Sequence, residues 1–174
     1  MKEIESLYQK FVFHEFNLSS WKECIDWGIE RLQKDDDNGD VDIALLAGST
    51  KEWDAEDYTK NVLDKYLPEE KFNREYICGK SLVELYKKFQ ENEINHEELD
   101  HILTTLFWKL DYPDWLVMLS RNCEYATDIE DFRKPFLDEF DYIAGLWSKS
   151  GNLKEFLKEY DRAISNTHDL EDLL

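Results

Sequence analysis

The stretch that most constrains the fold is the most apolar part of the chain, residues 95–119 (NHEELDHILTTLFWKLDYPDWLVML). Its first half carries apolar side chains at the i, i+3, i+4, i+7 spacing of an amphipathic helix, namely Leu99, Ile102, Leu103, Leu106, Phe107 and Leu110. A tight turn is predicted at residues 111–113. A second helix is predicted from Asp114, because proline is favoured where a helix begins. This helix pair is the predicted centre of the core, and it carries no recognisable chemistry.

Helical periodicity recurs along the rest of the chain, whereas the strict alternation of apolar and polar residues that is typical of a strand does not. Six Gly and three Pro among 174 residues also indicate short turns. The predicted fold is therefore all-α, with eight or nine short-linked helices packed as antiparallel pairs in one domain. We expect this single helical domain to cover residues 1–165, followed by an acidic, frayed tail at residues 166–174.

Helix starts and interruptions are predicted from capping residues and glycines. Capping boxes are predicted for Ser20 with Glu23, Asn95 with Glu98 and Thr127 with Glu130. Asp40 is predicted to cap a short helix over residues 41–47, and Asp54 is predicted to cap the next helix, over residues 54–67. Gly28 indicates the close approach of a neighbouring helix, and Gly79 is expected to kink or divide a helix over residues 70–91.

Charge is the most unusual property of the composition. Forty acidic residues against 21 basic ones give a net charge of −19, and the acids are spread from Glu3 to Asp172. Such a chain repels nucleic acid and anionic membranes, so neither is a predicted partner. A strongly basic protein partner is favoured, with solubility alone as the competing interpretation. The three cysteines form no CxxC motif, and no signal-peptide core is present, so the predicted location is the cytoplasm.

The search for catalytic and metal-binding motifs is mostly negative. His96 and His101 lie five residues apart, which places them about 140° apart on a helix rather than on one face as in an HExxH zinc site. With Gly39 at position six of a calcium loop, Lys34 and Leu45 fall at positions one and twelve, where carboxylates are needed. We therefore predict no catalytic residue, no metal ligand, no cofactor and no enzymatic activity. A metal-dependent carboxylate enzyme is the least favoured class.

Two acidic segments form the predicted partner-binding surface. One is the loop DDDNGDVD, and the other surrounds Trp53, which stands among charged residues. An exposed Trp among acidic residues is typical of an interface hot spot. The predicted binding residues are Asp35, Asp36, Asp37, Asp40, Asp42, Trp53, Asp54, Glu56 and Asp57. The alternative for each is an ordinary solvated surface.

Residues 16–158 resemble a family of small helical bacterial proteins often found beside toxin genes. The resemblance is carried by FNLSSW at residues 16–21, IDWGIE at residues 25–30, the 111–113 turn and residues 143–147. The chain is also similar to the immunity proteins of contact-dependent growth inhibition, which are small, acidic, helical and without catalytic residues. The very acidic loop at residues 35–42 departs from that pattern.

The resemblance implies a cytoplasmic immunity protein that binds and blocks a cognate toxin as a 1:1 heterodimer. Toxin nucleases, such as RNases, carry basic clefts because they bind phosphates, and an acidic protein can cover such a cleft. The alternative is a helical adaptor or regulatory domain that binds another basic protein.

Overall fold

A computed structural model describes the backbone of residues 3–171 and the side chains of residues 3–69 and 71–163. Its α-helices are α1 (Ile4–Glu15), α2 (Lys22–Gln33), α3 (Val41–Ala47), α4 (Glu52–Tyr66), α5 (Arg74–Gln90), α6 (His96–Lys109), α7 (Asp114–Asp128), α8 (Arg133–Lys149) and α9 (Leu153–Glu171). Short 3-10 turns lie at Glu69–Lys71 and Glu130–Phe132. The described range contains nine α-helices and no strand, which confirms the predicted all-α class. Within this range, no helix combines the length and apolarity needed to cross a membrane.

The chain divides into two compact units, unit 1 (Met1–Ile77) and unit 2 (Cys78–Leu174), with the division inside α5. The single domain over residues 1–165 stays a prediction. Helix α9 continues to Glu171, so most of the predicted tail has a helical backbone, while residues 172–174 lie outside the described part.

Unit 1 is built on α1 to α4. Helix α3 packs on both α2 and α4, which precede and follow it in the sequence. Helix α1 also packs on α2 and α4. The side chains that are fully buried in this unit are mostly aliphatic and include Leu7, Val12, Ile43, Leu46 and Val62. Gly28 marks a close approach of helices, as predicted, because a Cβ there would lie 3.2 Å from the backbone nitrogen of Ala47.

A buried arginine is a feature of unit 1 that periodicity did not predict. Arg31 is 1% exposed, and its guanidinium donates to Glu3 Oε2 at 2.6 Å and to Asp36 Oδ2 at 3.2 Å. It also lies over the Trp27 ring, 5.4 Å from the centroid. The two carboxylates and the ring compensate the desolvation of the guanidinium, which would otherwise be strongly unfavourable.

Unit 2 is organised around the predicted helix pair and two aromatic helices. Helix α7 packs on both α6 and α8, and α8 packs on α9. Six side chains of the pair are essentially buried, namely Leu99, Leu103, Leu106, Trp115, Leu116 and Leu119. The Trp147 ring stacks on Phe156 with centroids 3.7 Å apart and meets Trp115 edge-on at 5.2 Å. Aromatic packing of this kind fixes ring orientation more tightly than aliphatic contacts do.

The predicted caps have mixed outcomes. The capping box of Asn95 and Glu98 is present, and Asp40 caps α3 by accepting the Asp42 N–H at 2.8 Å. The predicted box of Ser20 with Glu23 is wrong, because the Ser20 hydroxyl accepts from Lys22 N instead.

Two further predicted caps lie inside helices. Thr127 belongs to the last turn of α7, where its hydroxyl donates to the Glu124 carbonyl at 2.6 Å. Asp54 lies in the first turn of α4, which already begins at Glu52. A division of the helix at Gly79 is also wrong, since α5 is continuous from Arg74 to Gln90, while a kink at Gly79 stays a prediction.

Candidate partner-binding surface

The net charge of unit 1 is concentrated in one segment, residues 35–57. Residues 1–77 carry 19 acidic and ten basic side chains, a net charge of −9. Residues 35–57 contain nine of these acids and a single base, a net charge of −8. The segment covers the loop before α3, α3 itself and the start of α4, and it contains all nine predicted binding residues.

The loop before α3 carries both compensated and exposed carboxylates. Asp35 is exposed, with a left-handed backbone at φ 54°. Asp36 is half-buried and accepts from the guanidinium of Arg31, so it serves the fold of unit 1. Asp37 is half-buried, and its backbone carbonyl accepts the Asp40 N–H at 3.0 Å.

Asp40 and Asp42 hold α3 to the C-terminal half of α4. The Asp40 carboxylate is 7% exposed and accepts the Tyr66 hydroxyl at 2.6 Å and Lys65 Nζ at 3.1 Å. Burial alone would raise the pKa of Asp40. The bonds from Tyr66, Lys65 and the Asp42 N–H outweigh burial and lower this pKa below its usual range. Asp42 accepts from Lys65 as well and from Asn61 Nδ2 at 3.4 Å.

The second predicted segment opens α4. Trp53 is 61% exposed, and Lys51 Nζ lies 5.1 Å from its ring centroid. Asp54 is half-buried in the first helical turn, where the helix dipole favours a negative charge. Asp57 is exposed, whereas the half-buried Glu56 lies 3.2 Å from His14 Nε2. Trp53 and Asp57 are therefore the members of this segment most available to a partner.

The structure places the two predicted segments at opposite ends of α4. Asp40 and Asp42 bond to Lys65, which lies twelve residues beyond Trp53 on the same helix. At 1.5 Å per residue the two ends are about 18 Å apart. A standard interface of about 800 Å² per partner is wide enough to cover both. A partner that contacts the whole predicted set must therefore lie along the α3–α4 pair.

One cluster of potential ligands was missed by sequence reasoning. His14 Nε2 of α1 lies 3.2 Å from Glu56 Oε1 and 3.4 Å from Glu52 Oε1 of α4. The three ligand atoms are all within 4.8 Å of one another, and the His14 side chain is only 12% exposed. The one signal in the sequence is the i, i+4 spacing of the two glutamates. His14 lies 38 residues before Glu52, and only the packing of α1 on α4 brings it to them.

Unit 2 contains a polar cleft and an exposed aromatic pair. The cleft is lined by His96, Glu97, Asp100, Ala126, Thr127, Asp128 and Arg133. His96 Nε2 donates to the Cys123 carbonyl at 2.9 Å, and burial raises the pKa of Asp100 above its usual range. Outside the cleft, Trp108 is 62% exposed and meets Tyr112 edge-on at 5.0 Å.

No family model, curated protein or solved structure matches this chain.

Proposed function

We propose that the chain is an immunity protein that binds and neutralises a basic toxin domain, a nuclease, through the acidic segment at residues 35–57. The observation that carries the proposal is the concentration of charge, since this segment holds −8 of the −9 of unit 1 and also presents Trp53 at 61% exposure. The resemblance to immunity proteins supports the same class. Binding in a 1:1 complex in the cytoplasm, without catalysis, belongs to the proposal.

The charges and the tryptophan have different physical roles in this proposal. A nuclease cleft is basic because it binds phosphates, and an opposing acidic surface raises the association rate, up to about 10⁸–10⁹ M⁻¹s⁻¹ at low salt. Exposed carboxylates such as Asp35 and Asp57 act mainly on this rate. A large, rigid side chain that becomes desolvated acts mainly on dissociation, and Trp53 is the candidate for that role.

The experiment starts from affinity capture. The tagged chain is immobilised, exposed to an extract of its source cells at low and at high salt, and the retained proteins are identified by mass spectrometry. We expect one basic protein to be retained into high salt. That protein is then purified and assayed for RNase and DNase activity, which one equivalent of the chain should abolish. A retained protein without such activity would favour the adaptor function, and a complex whose nuclease cleft stays open and active would contradict occlusion.

Matched variants test whether the partner binds at residues 35–57. Asp35→Asn with Asp57→Asn should slow association and flatten its salt dependence, because exposed charges act through long-range attraction. Asparagine is chosen because it tolerates the left-handed backbone of residue 35. Trp53→Ala should speed dissociation by roughly 30-fold, the equivalent of a hot-spot loss of about 2 kcal/mol. The controls in unit 2 are Trp108→Ala and the pair Glu130→Gln and Asp131→Asn, which remove an equally exposed tryptophan and the charges of two exposed acids. Equal effects of test and control variants would show that the attraction is not specific to residues 35–57.

A further inference from the structure

We propose that His14, Glu52 and Glu56 form a binding site for a divalent transition-metal ion of the Zn²⁺ class. The site lies within unit 1, between α1 and α4. It goes beyond the proposed function, because it requires no partner and is tested on the isolated chain.

The distances among the donor atoms fit a small tetrahedral ion. Zn²⁺ bonds to imidazole nitrogen and carboxylate oxygen are about 2.0–2.2 Å long, so two ligand atoms of a tetrahedral site lie about 3.4 Å apart. His14 Nε2 is 3.2 Å from Glu56 Oε1 and 3.4 Å from Glu52 Oε1. The two glutamate oxygens lie within 4.8 Å of each other, and rotation of the exposed Glu52 side chain can bring all three atoms to this spacing.

The helices hold the donors in place. Glu52 and Glu56 are one turn apart on α4, so both carboxylates project from the same face of that helix. His14 is in the last turn of α1, which packs on α4 and has Phe11 and Val12 buried beside it. The imidazole itself is 12% exposed, whereas the Glu52 side chain is 54% exposed. This arrangement supplies three protein ligands and leaves a fourth position facing solvent.

The donor types select the class of ion. Carboxylates alone suit Mg²⁺ and Ca²⁺, whereas an imidazole nitrogen shifts the preference to Zn²⁺ and related transition metals. Charge favours the same conclusion, because two carboxylates converge on one imidazole and the group keeps a net negative charge even when His14 is protonated. A divalent cation compensates both carboxylates, which a protonated imidazole cannot do.

The test uses the untagged chain of 174 residues, stripped with a chelator and dialysed. Isothermal titration with Zn²⁺ should show one tight equivalent, and Co²⁺ should give the visible absorption of a tetrahedral complex. Bound Zn²⁺ joins α1 to α4, so the melting temperature should rise by about 5–10 °C at a hundredfold excess over Kd.

Three variants remove single ligands with little change in shape: His14→Gln, Glu52→Gln and Glu56→Gln. Each should weaken Zn²⁺ binding by more than the roughly tenfold that even an outer-shell substitution costs. His101→Gln and Asp64→Asn are the matched controls, since both positions are exposed and lie outside the cluster. They should leave the affinity unchanged. If His14→Gln does not fold, the two glutamate variants carry the test, with circular dichroism without metal as the check on the fold.

Three outcomes would overturn the site. The first is no saturable Zn²⁺ binding by the wild-type chain, in which case the cluster is a histidine–carboxylate ion pair. The second is equal weakening by Asp64→Asn and Glu56→Gln, which would indicate diffuse attraction to an acidic protein. The third is Ca²⁺ displacing Zn²⁺ at equal concentration, which would show that the carboxylates alone hold the ion.

Discussion

Gly79 lies inside α5, where alanine is normally the better helix former, and its replacement by alanine tests how tightly unit 2 is packed. A Cβ at this position would lie 2.2 Å from two ring carbons of Trp147 and 2.6 Å from a third. An ordinary van der Waals contact needs at least 3.4 Å. The ring would therefore have to withdraw by more than ~1 Å, a displacement of the size that close-packed interiors resist.

The magnitude follows from the surroundings of that ring. Trp147 is fully buried, stacked on Phe156 and flanked by Trp115, so a shift of the ring disturbs two further aromatic contacts. Overpacking of a dense core costs about 1–3 kcal/mol, and we place this substitution near 3. Alanine recovers about 1 kcal/mol of helix propensity. We therefore expect Gly79→Ala to lower the free energy of unfolding by about 2 kcal/mol and the melting temperature by about 4–8 °C.

Two other glycines supply a graded comparison. Gly145 lies inside α8 and has no atom within 4 Å of an added Cβ, so Gly145→Ala should stabilise by about 0.5–1 kcal/mol. Gly28→Ala should fall between the two, because its Cβ would meet the Ala47 backbone nitrogen at 3.2 Å. The assay is urea unfolding followed by circular dichroism at 222 nm.

A double-mutant cycle isolates the clash from any other effect of the substitution. Trp147→Phe removes the outer part of the indole, including the Cζ2 atom 2.2 Å from the added Cβ, so Gly79→Ala should cost less in that background, with a coupling energy of about 0.5–3 kcal/mol. A Gly79→Ala chain as stable as the wild type, or a cost that is the same in both backgrounds, would refute a clash between the added Cβ and the Trp147 ring.

The remaining predictions concern three kinds of buried polar group. Asp40→Ala should cost about 1–2 kcal/mol at pH 7, because it removes the cap of α3 and the partner of Tyr66. The pKa of Asp40 is lowered in the folded chain, so its contribution to stability is complete above the usual carboxyl pKa of 3.8 and is lost as the pH falls below that value. Urea unfolding of wild type and variant at pH 7 and at pH 3 will show this loss. Ionisation of Asp100 has the opposite effect on stability. Burial raises its pKa, so the charged carboxylate disfavours the folded state. Asp100→Asn should therefore stabilise the folded chain at pH 7 and have little effect below the usual carboxyl pKa of 3.8, which the same pair of unfolding measurements will show. Finally, burial raises the pKa of the Cys24 thiol to about 11, and Cys123 is also fully buried, so a thiol reagent should label both only as fast as the chain unfolds.

Helical periodicity was sufficient for the fold class and for most of the core, but single side chains at helix ends were not predictable in the same way. Asn95 caps α6 because the chain is extended there and the side chain can reach the N–H of Glu98. Thr127 has the same sequence signature, but it lies within α7, where its hydroxyl bonds back to the preceding turn. The motif alone does not determine whether the backbone is extended at that position.

Helical phase accounts for the exposure of two tryptophans, Trp108 and Trp53. Trp108 follows the buried Leu99 by nine residues, which at about 100° per residue places it on the opposite face of α6. Trp53 has the same relation to the buried Val62 of α4. By contrast, the contact of His14 with Glu52 depends on how α1 packs on α4, which no local pattern contains.

The acidic segment at residues 35–57 folds despite its net charge of −8 because several of its carboxylates have structural partners. Asp36 compensates the buried Arg31, and Asp40 and Asp42 share Lys65. Asp54 lies in the first turn of α4, where the helix dipole compensates it. These contacts account for four of the nine carboxylates in the segment without any partner protein.

Structural contacts of this kind do not account for Asp35, Asp57 or Trp53, which are exposed. Placing two like charges and a large aromatic ring in solvent adds nothing to the fold of unit 1, since surface substitutions of this kind change stability by no more than about 0.5 kcal/mol. The partner proposed above would give these three side chains a role. Asp35→Asn, Asp57→Asn and Trp53→Ala should therefore change binding without changing stability, whereas Asp40→Ala should change both. A protein that loses stability on Trp53→Ala would show that this side chain serves the fold after all.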